Sequence, residues 1–520
     1  MMRDEADKIS EDAAVFAENP ENTDFMGTGF ESLESRAKKL SKGSPPDEIN
    51  KILQDSCSVG SIERRMIRNI IKEQTGFSHG DQKKAQAEFF GGEDMDHLTA
   101  ARAVLAKIGR ENILATAAYV WLWDMRGIWR TIPDRELKQL VQHGLEGESE
   151  EIMRGLVDGV ADVLKSEIFR GEHEWNRSHD AINTPNGELH WNGAGWELLP
   201  HCREHYLTTQ IPVPYLPEAT CPRFIQFLQE IFEGDPDGEA KAQALLEMMG
   251  YSLTSDTRYE RFVLLIGSGA NGKSVVMEVI RLLVGSENVA AVQPSQFGNR
   301  FQRGHLHLKL VNLVTEIAEG SEIADAELKA IVSGELTTAE HKHQPPFDFR
   351  PYATCWFGTN HMPHTRDFSD ALFRRALVMP FNRTFKAGEN ADPNLKEKLA
   401  EELSGILKLA LQAYGDVLQR GSFTDPESCL RAKEEWRIEA DQVAQFIGDK
   451  CEMIPDARVV SVELYLAYKN WAVDAGITRQ LNRKNFTNRV LRRGGVLCKG
   501  SGGVRMIAGV RLKSMFEGDG

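Results

Sequence analysis

The eight residues Gly267-Ser-Gly-Ala-Asn-Gly-Lys-Ser274 constrain this chain more than any other stretch. An apolar run, Arg261-Phe-Val-Leu-Leu-Ile266, precedes them, and an apolar segment long enough for a helix, Val275 to Val284, follows. The order strand, glycine turn, helix opens an α/β unit. The spacing fits G-x-x-x-x-G-K-[ST], a loop whose backbone amides must all turn inward, through φ/ψ values that a β-carbon disfavours.

That geometry suits phosphate. Gly267, Ser268, Gly269, Ala270, Asn271 and Gly272 are expected to cradle a nucleotide, with Lys273 on the β- and γ-phosphates and Ser274 on Mg²⁺ at a helix N-terminus. ATP and Mg²⁺ are therefore the expected cofactors. A glycine-rich surface turn is the plain alternative, and the apolar flanks argue against it. An acid at the end of a neighbouring strand is also needed. Leu310-Val-Asn-Leu-Val-Thr-Glu316 supplies one, so Glu316 is assigned to Mg²⁺ and water. Glu319 is either a second carboxylate or the first turn of a helix.

Two further elements follow in order. Tyr352-Ala-Thr-Cys-Trp-Phe-Gly-Thr-Asn360 reads as a strand ending in an amide, and Asn360 there can orient the attacking water. Arg374 and Arg375 precede another apolar run; they are either salt-bridge donors or fingers that reach a neighbouring subunit's γ-phosphate.

The chain has 520 residues, enough for three or four compact units, and its 41% hydrophobic and 27% charged residues exclude a collagenous, wholly disordered or membrane-embedded protein. The longest nearly apolar stretch, Ile113 to Trp123, is about half of the roughly 20 residues of a bilayer span. No apolar core follows the N-terminal charges, so a cytoplasmic protein with no membrane partner is expected. Seven cysteines without Cys-x-x-Cys spacing read as reduced thiols rather than a zinc site. The formal net charge of −15 is unevenly spread: residues 1–34 carry −8, residues 461–515 carry +9.

Along the chain, the acidic start reads as a solvated arm leading into short helices on Ile49, Ile52, Leu53, Ile62, Met66, Ile70 and Ile71. Asp96 to Ala161 reads as strongly helical; turn signals at 183–187 and 191–195 then punctuate short β-like runs, and Pro222 to Met249 returns to helical spacing. Helical spacing resumes after Glu401, and a markedly basic segment begins near Val459.

The ordered set of glycine loop, Glu316, Thr359-Asn360 and Arg374-Arg375 resembles the superfamily 3 helicase domain of phage and plasmid replication proteins, in the P4-primase and poxvirus D5-like family. The resemblance extends over roughly residues 96–515. It implies a multidomain α/β fold in five parts: an acidic arm and helical lead-in (1–95), a mostly helical D5-N-like domain (96–243), an AAA+-like P-loop ATPase core (244–390), a helical continuation (391–455) and a winged-helix-like basic domain (456–520). It further implies a homo-hexameric ring moving on single-stranded DNA, typically 3′ to 5′, in a mobile element's replication system inside a bacterial host. Relatives often carry a primase-polymerase domain ahead of these regions. The 95 or so residues here are too few for one, so a separate primase or polymerase is a candidate partner.

Two segments are candidates for DNA contact. The stretch 334–349 is expected to form a hairpin facing the ring channel, with His341, Lys342 and His343 on the strand; a solvated turn or a stray two-histidine metal site is the alternative. In the C-terminal part, Asn482-Arg-Lys-Asn-Phe-Thr-Asn-Arg-Val-Leu-Arg-Arg493 reads as a basic helix before two short strands, with Arg483, Lys484, Arg489, Arg492 and Arg493 on duplex or forked DNA. Competing readings are an origin-binding initiator that uses ATP as an assembly switch, and a DNA packaging or defence ATPase.

Overall fold

A computed structural model describes residues 27–82, 96–146, 152–171, 173–176, 178, 181–365, 370–386, 388–475, 477 and 480–513. Most of the acidic arm, residues 1–26, and Arg479 of the basic segment lie outside the described residues. The chain divides into two compact units: residues up to Arg110 with Pro133–Ile168, and Glu111–Ile132 with everything from Phe169 onward.

In the first unit, α1 (Gly27–Lys38), α2 (Pro46–Asp55) and α3 (Ser61–Thr75) close over Leu33, Ala37, Ile49, Ile52, Leu53, Ile67 and Ile71. The buried face of α3 is thus Ile67 and Ile71, while Ile62 and Met66 point to solvent, 76% and 48% exposed. A second triplet follows. Asp96 caps α4 (His97–Ile108), its carboxylate accepting from the amides of Leu98 and Thr99 at 2.8 Å each. This helix packs Ala101, Val104 and Leu105 with Leu137 and Val141 of α5 (Asp134–Leu145) and Leu164 of α6 (Arg154–Glu167), all buried.

The expectation of one helical stretch from Asp96 to Ala161 is corrected between α4 and α5. There β1 (Ile113–Ala115), β2 (Val120–Asp124) and β3 (Ile128–Ile132) form an antiparallel meander that belongs to the second unit. β-branched and aromatic side chains favour a half-buried pleated surface, and Gly127 at φ +83° closes the turn after Asp124. Trp121 and Trp129 are buried in this sheet against Trp175 and Tyr206. A second meander follows, β4 (Ile182–Thr184), β5 (Gly187–Trp191) and β6 (Trp196–Leu199). Then come α7 (Pro222–Ile231), with Phe224, Phe227, Leu228 and Ile231 buried on one face, and α8 (Gly238–Tyr251).

The centre of the second unit is a five-stranded sheet. Its chain order runs β7 (Phe262–Ile266), α9 (Lys273–Val284), β8 (Val289–Ala290), α10 (Arg300–Arg303), β9 (Val311–Val314) and α11 (Asp325–Val332). A hairpin of β10 (Thr337–Ala339) and β11 (Phe347–Phe349) leads to β12 (Thr354–Thr359), α12 (Asp370–Phe373) and β13 (Ala376–Pro380). The spatial order is β13-β7-β12-β9-β8, all pairs parallel. Near-continuous apolar strands are what burial on both faces requires, and Phe262 to Leu265 are all buried.

Helices α13 (Leu395–Glu401), α14 (Leu403–Arg420) and α15 (Glu427–Ala440) complete this region. Gly250 of α8 lets α14 approach closely, since a β-carbon there would stand 2.4 Å from the Ala410 carbonyl oxygen. The fully buried Glu247 carboxylate is satisfied by Arg420 at 2.9 Å and by the Thr424 amide and hydroxyl at 2.7 Å each.

The chain ends in a small mixed body: α16 (Gln442–Lys450), β14 (Cys451–Glu452), β15 (Arg458–Val460), α17 (Ser461–Asp474), α18 (Arg483–Arg492), β16 (Val496–Lys499), β17 (Arg505–Ala508) and β18 (Arg511–Leu512). Its core joins Val443 and Phe446 to Leu464, Tyr468, Phe486, Val490 and Ile507, so it reaches back ahead of residue 456. Among the described residues no helix is long and apolar enough to cross a membrane.

Candidate functional site

A cleft of about 390 Å³ opens at the carboxyl ends of β7, β9 and β12. Gly269 to Ser274 form one wall, Glu316 and Asn360 another, and Arg223, Phe227, Phe385 and Leu395 close the far side. The strand order explains why residues so distant in sequence meet. β12 pairs with β7 at Thr359↔Ile266 and with β9 at Phe357↔Val314, so the residue after Thr359 stands between the glycine loop and Glu316. The close fit of β12 depends on Gly358, where a β-carbon would lie 2.4 Å from the Thr315 carbonyl oxygen.

The loop is held from outside. The Gly267 amide donates to the Thr359 carbonyl at 3.2 Å, the Phe385 amide to the Ala270 carbonyl at 2.7 Å, and the Asn271 side-chain amide to the Phe381 carbonyl at 3.3 Å. Gly269 and Gly272 adopt φ of +99° and +94°, and Ala270 adopts +48°. A β-carbon on Gly272 would also stand 2.6 Å from Ile231. With the loop so arranged, the amides of Gly269 through Ser274 find no acceptor among the described residues. They form an inward-facing set at the start of α9, a nest suited to an anion.

Lys273 is 7% exposed, and its ammonium donates to the Gly267 carbonyl at 2.6 Å, Asn271 Oδ1 at 3.1 Å and Asn360 Oδ1 at 3.4 Å. Burial lowers its pKa, and the Glu316 charge opposes that shift. The turn that presents Asn360 is fixed by Thr359, whose hydroxyl donates to the His361 carbonyl and accepts from the His361 amide. Glu316 is exposed, and Gln293 donates to its backbone carbonyl at 3.1 Å. Of the two readings of Glu319, the first turn of a helix does not hold. Glu319 sits in an exposed turn before Gly320 and is not among the residues that line the cleft, and the next helix begins only at Asp325.

The paired arginines lie at a different place from the cleft. Arg375 is buried, donating to the Ala371 carbonyl at 2.5 Å and the Ser333 hydroxyl at 2.9 Å and pairing with Glu260 at 2.5 Å. Arg374 is exposed, with Glu260 at 3.4 Å.

Residues 97–233 match the family model described as D5 N terminal like, and residues 265–375 match a family of unknown function, DUF5906. Over 292 residues the chain is 24% identical to "Putative helicase L207/L206" of Acanthamoeba polyphaga mimivirus, covering 51% of this chain and 30% of that one. The chain resembles the D5-like helicase family. A second relative, "Putative helicase 121R" of Invertebrate iridescent virus 3, is 22% identical over 301 residues, 51% of this chain and 32% of that one. The chain thus spans about a third of the length of these curated relatives. Among solved structures, the apo NrS-1 C terminal region aligns over 80% of this chain and 100% of that chain, at 12% identity and a TM-score of 0.45.

Two outlying elements of the chain carry the basic residues singled out from sequence. In the β10–β11 hairpin, Ala339 pairs with Phe347, and the tip exposes Lys342 and His343. His341 is drawn inward, stacked on Phe347 with ring centroids 5.0 Å apart. At the C-terminal end, α18 buries Phe486 and Val490, and Asn482 caps it by accepting from the Asn485 amide at 2.9 Å. Arg493 pairs with Asp441 at 2.9 Å, and Arg489 lies 3.9 Å from the same carboxylate. Arg483, Lys484 and Arg492 are exposed and have no ion-pair partner among the described residues.

Proposed function

We propose that the chain is an ATP-dependent DNA helicase of a mobile element's replication system, acting as a ring that moves on single-stranded DNA. The single observation that supports this most strongly is the cleft that joins the unbonded amides of Gly269 to Ser274 with Lys273, Glu316 and Asn360. The residues fit Mg²⁺–ATP: the nest takes the phosphates, and Ser274 with Glu316 supplies hard oxygen ligands for the metal. Bound there, the Mg²⁺ nucleotide supplies a transferable γ-phosphoryl group and charge neutralisation.

The rest belongs to the protein. Lys273 exchanges its bonds to Gly267 and Asn271 for phosphate oxygens, which restores the ammonium's charge partner in a desolvated site. Glu316 takes a proton from the attacking water, and Asn360 holds that water in line. Arg374 acts on a neighbouring subunit's γ-phosphate, a reading its exposure outside its own cleft supports, whereas Arg375 anchors it from within the fold. The exposed Lys342 and His343 suit contact with a single strand, and Arg483, Lys484 and Arg492 suit duplex phosphates in a winged-helix-like end.

A forked DNA substrate with the purified protein tests the reading. Strand displacement should require ATP and vanish in Lys273→Ala. ATP hydrolysis without any strand displacement by the wild type would favour the initiator or packaging readings instead.

A further inference from the structure

A second cluster of ligand-bearing side chains lies on the β4–β6 meander. Glu188 and His190 are two apart on β5 and therefore share a face. His205 comes from the single 3₁₀ turn Arg203–His205, which ends at Tyr206 with φ +52°. His190 Nε2 is 3.1 Å and His205 Nδ1 2.6 Å from the same Glu188 oxygen, Oε2. The three ligand atoms all lie within 4.8 Å of one another.

We propose that Glu188, His190 and His205 form a three-ligand site for a divalent transition-metal ion, Zn²⁺ by preference, that pins the 203–206 turn to the meander. A hydrogen-bonded carboxylate between two imidazoles is the plain alternative, and three features weigh against it. The Glu188 side chain is wholly buried, and its only ion-pair partners among the described residues are these two histidines, so a desolvated negative charge lacks a permanent cation. Its second oxygen, Oε1, accepts from the Cys202 amide at 2.8 Å; that outer bond fixes the carboxylate and leaves Oε2 for a metal. Both imidazoles face solvent in part, at 20% and 36% exposure, which gives an ion a way in.

The distances are compatible. A tetrahedral ion with bonds of about 2.0–2.2 Å sets its donors roughly 3.3–3.5 Å apart, so small side-chain movements would seat it, with water in the fourth position. One oxygen and two imidazole nitrogens suit Zn²⁺ better than Mg²⁺ or Ca²⁺, which prefer oxygen throughout. Bound metal would brace Tyr206, which packs on Trp129 at 5.6 Å.

The test uses the full chain carrying Glu316→Gln, so that the nucleotide cleft's own ligand does not count. After dialysis against chelator, Zn²⁺ alone is titrated by calorimetry and bound metal is measured by mass spectrometry. One Zn²⁺ per chain is expected, with a raised melting temperature, and at least about 100-fold weaker binding on adding His190→Gln and His205→Gln. Adding His341→Gln and His343→Gln instead should leave binding intact. No bound Zn²⁺, or one equivalent surviving in the His190/His205 variant, overturns the site. Should that variant fail to fold, X-ray absorption on the zinc-loaded parent decides: two imidazoles and one carboxylate oxygen support the site, and any other ligand set rejects it.

Discussion

The Lys273 ammonium stands 3.4 Å from Asn360 Oδ1, across 87 residues of sequence, because β12 is inserted between the strand that leads into the glycine loop and the strand that ends before Glu316. A strand order that put β9 beside β7 would separate the amide from the lysine. The same insertion sets the order in which substitutions should act.

Glu316→Gln should keep nucleotide binding and lose hydrolysis, with kcat down by about 10²–10⁴-fold if the carboxylate is the base. Asn360→Ala should lower kcat with little change in nucleotide affinity. Steady-state ATPase assays paired with fluorescent-nucleotide titration separate the two effects. Equal loss of binding and turnover in Glu316→Gln would show that the acid acts on the metal alone.

The two arginines should behave oppositely. Arg374→Ala should abolish ATPase activity with the melting temperature unchanged, and mixing it with Lys273→Ala should restore part of the activity if it acts on a neighbour. Arg375→Ala leaves the Ser333 hydroxyl, the Ala371 carbonyl and Glu260 short of a donor, and should cost roughly 1–3 kcal/mol in urea unfolding. Intact oligomers with no recovery at any mixing ratio would reject action in trans.

His307 makes the hairpin's base sensitive to pH. It packs among Tyr119, Phe347 and Phe349, and burial, with smaller effects from His341 and Lys309, lowers its pKa from 6.5 to about 4. The folded state keeps the ring neutral while the unfolded chain binds a proton below 6.5. Stability is therefore fully present above that pH and falls as the pH drops from 6.5 towards 4, by about 2–3 kcal/mol over the window. Chemical denaturation from pH 4 to 7 should show this slope, and His307→Gln should flatten it.

Charge reversal in α18 should divide its bases into two sets. Arg483→Glu, Lys484→Glu and Arg492→Glu should weaken duplex binding and reduce the salt slope by about 0.9 for each phosphate that is no longer neutralised, with the fold unaffected. Arg493→Glu would meet the Asp441 carboxylate and should destabilise the C-terminal body first. A salt titration by fluorescence anisotropy that shows no change in slope for the first set would remove the DNA role of this helix.

Much of the site is legible because its chemistry is local. Lys273 and Ser274 follow Gly272 directly, and Glu316 and Asn360 each follow an apolar strand, so the residue types and their order along the chain expose them. The fate of a charged side chain is not local. Arg374 and Arg375 are chemically identical neighbours, and only the packing of α11 and α12 makes one buried and the other exposed. Arg489 and Arg493 similarly become Asp441 partners once α16 folds back on α18.

The strands of the Ile113 to Ile132 segment escape a periodicity reading for a related reason. The apolar spacing of that segment favours helix when read alone, and the strands depend on Gly127 at the turn and on the aromatic partners Trp175 and Tyr206, which come from far along the chain. The sequence by itself determined the glycine-rich turn, its flanking strand and helix, and the order of the carboxylate and amide that follow it, because those depend on backbone freedom and on short-range apolar pattern. Tertiary structure alone decided that β12 stands between them, which arginine stays exposed, and that Glu188, His190 and His205 converge, because each depends on packing between segments far apart in the chain.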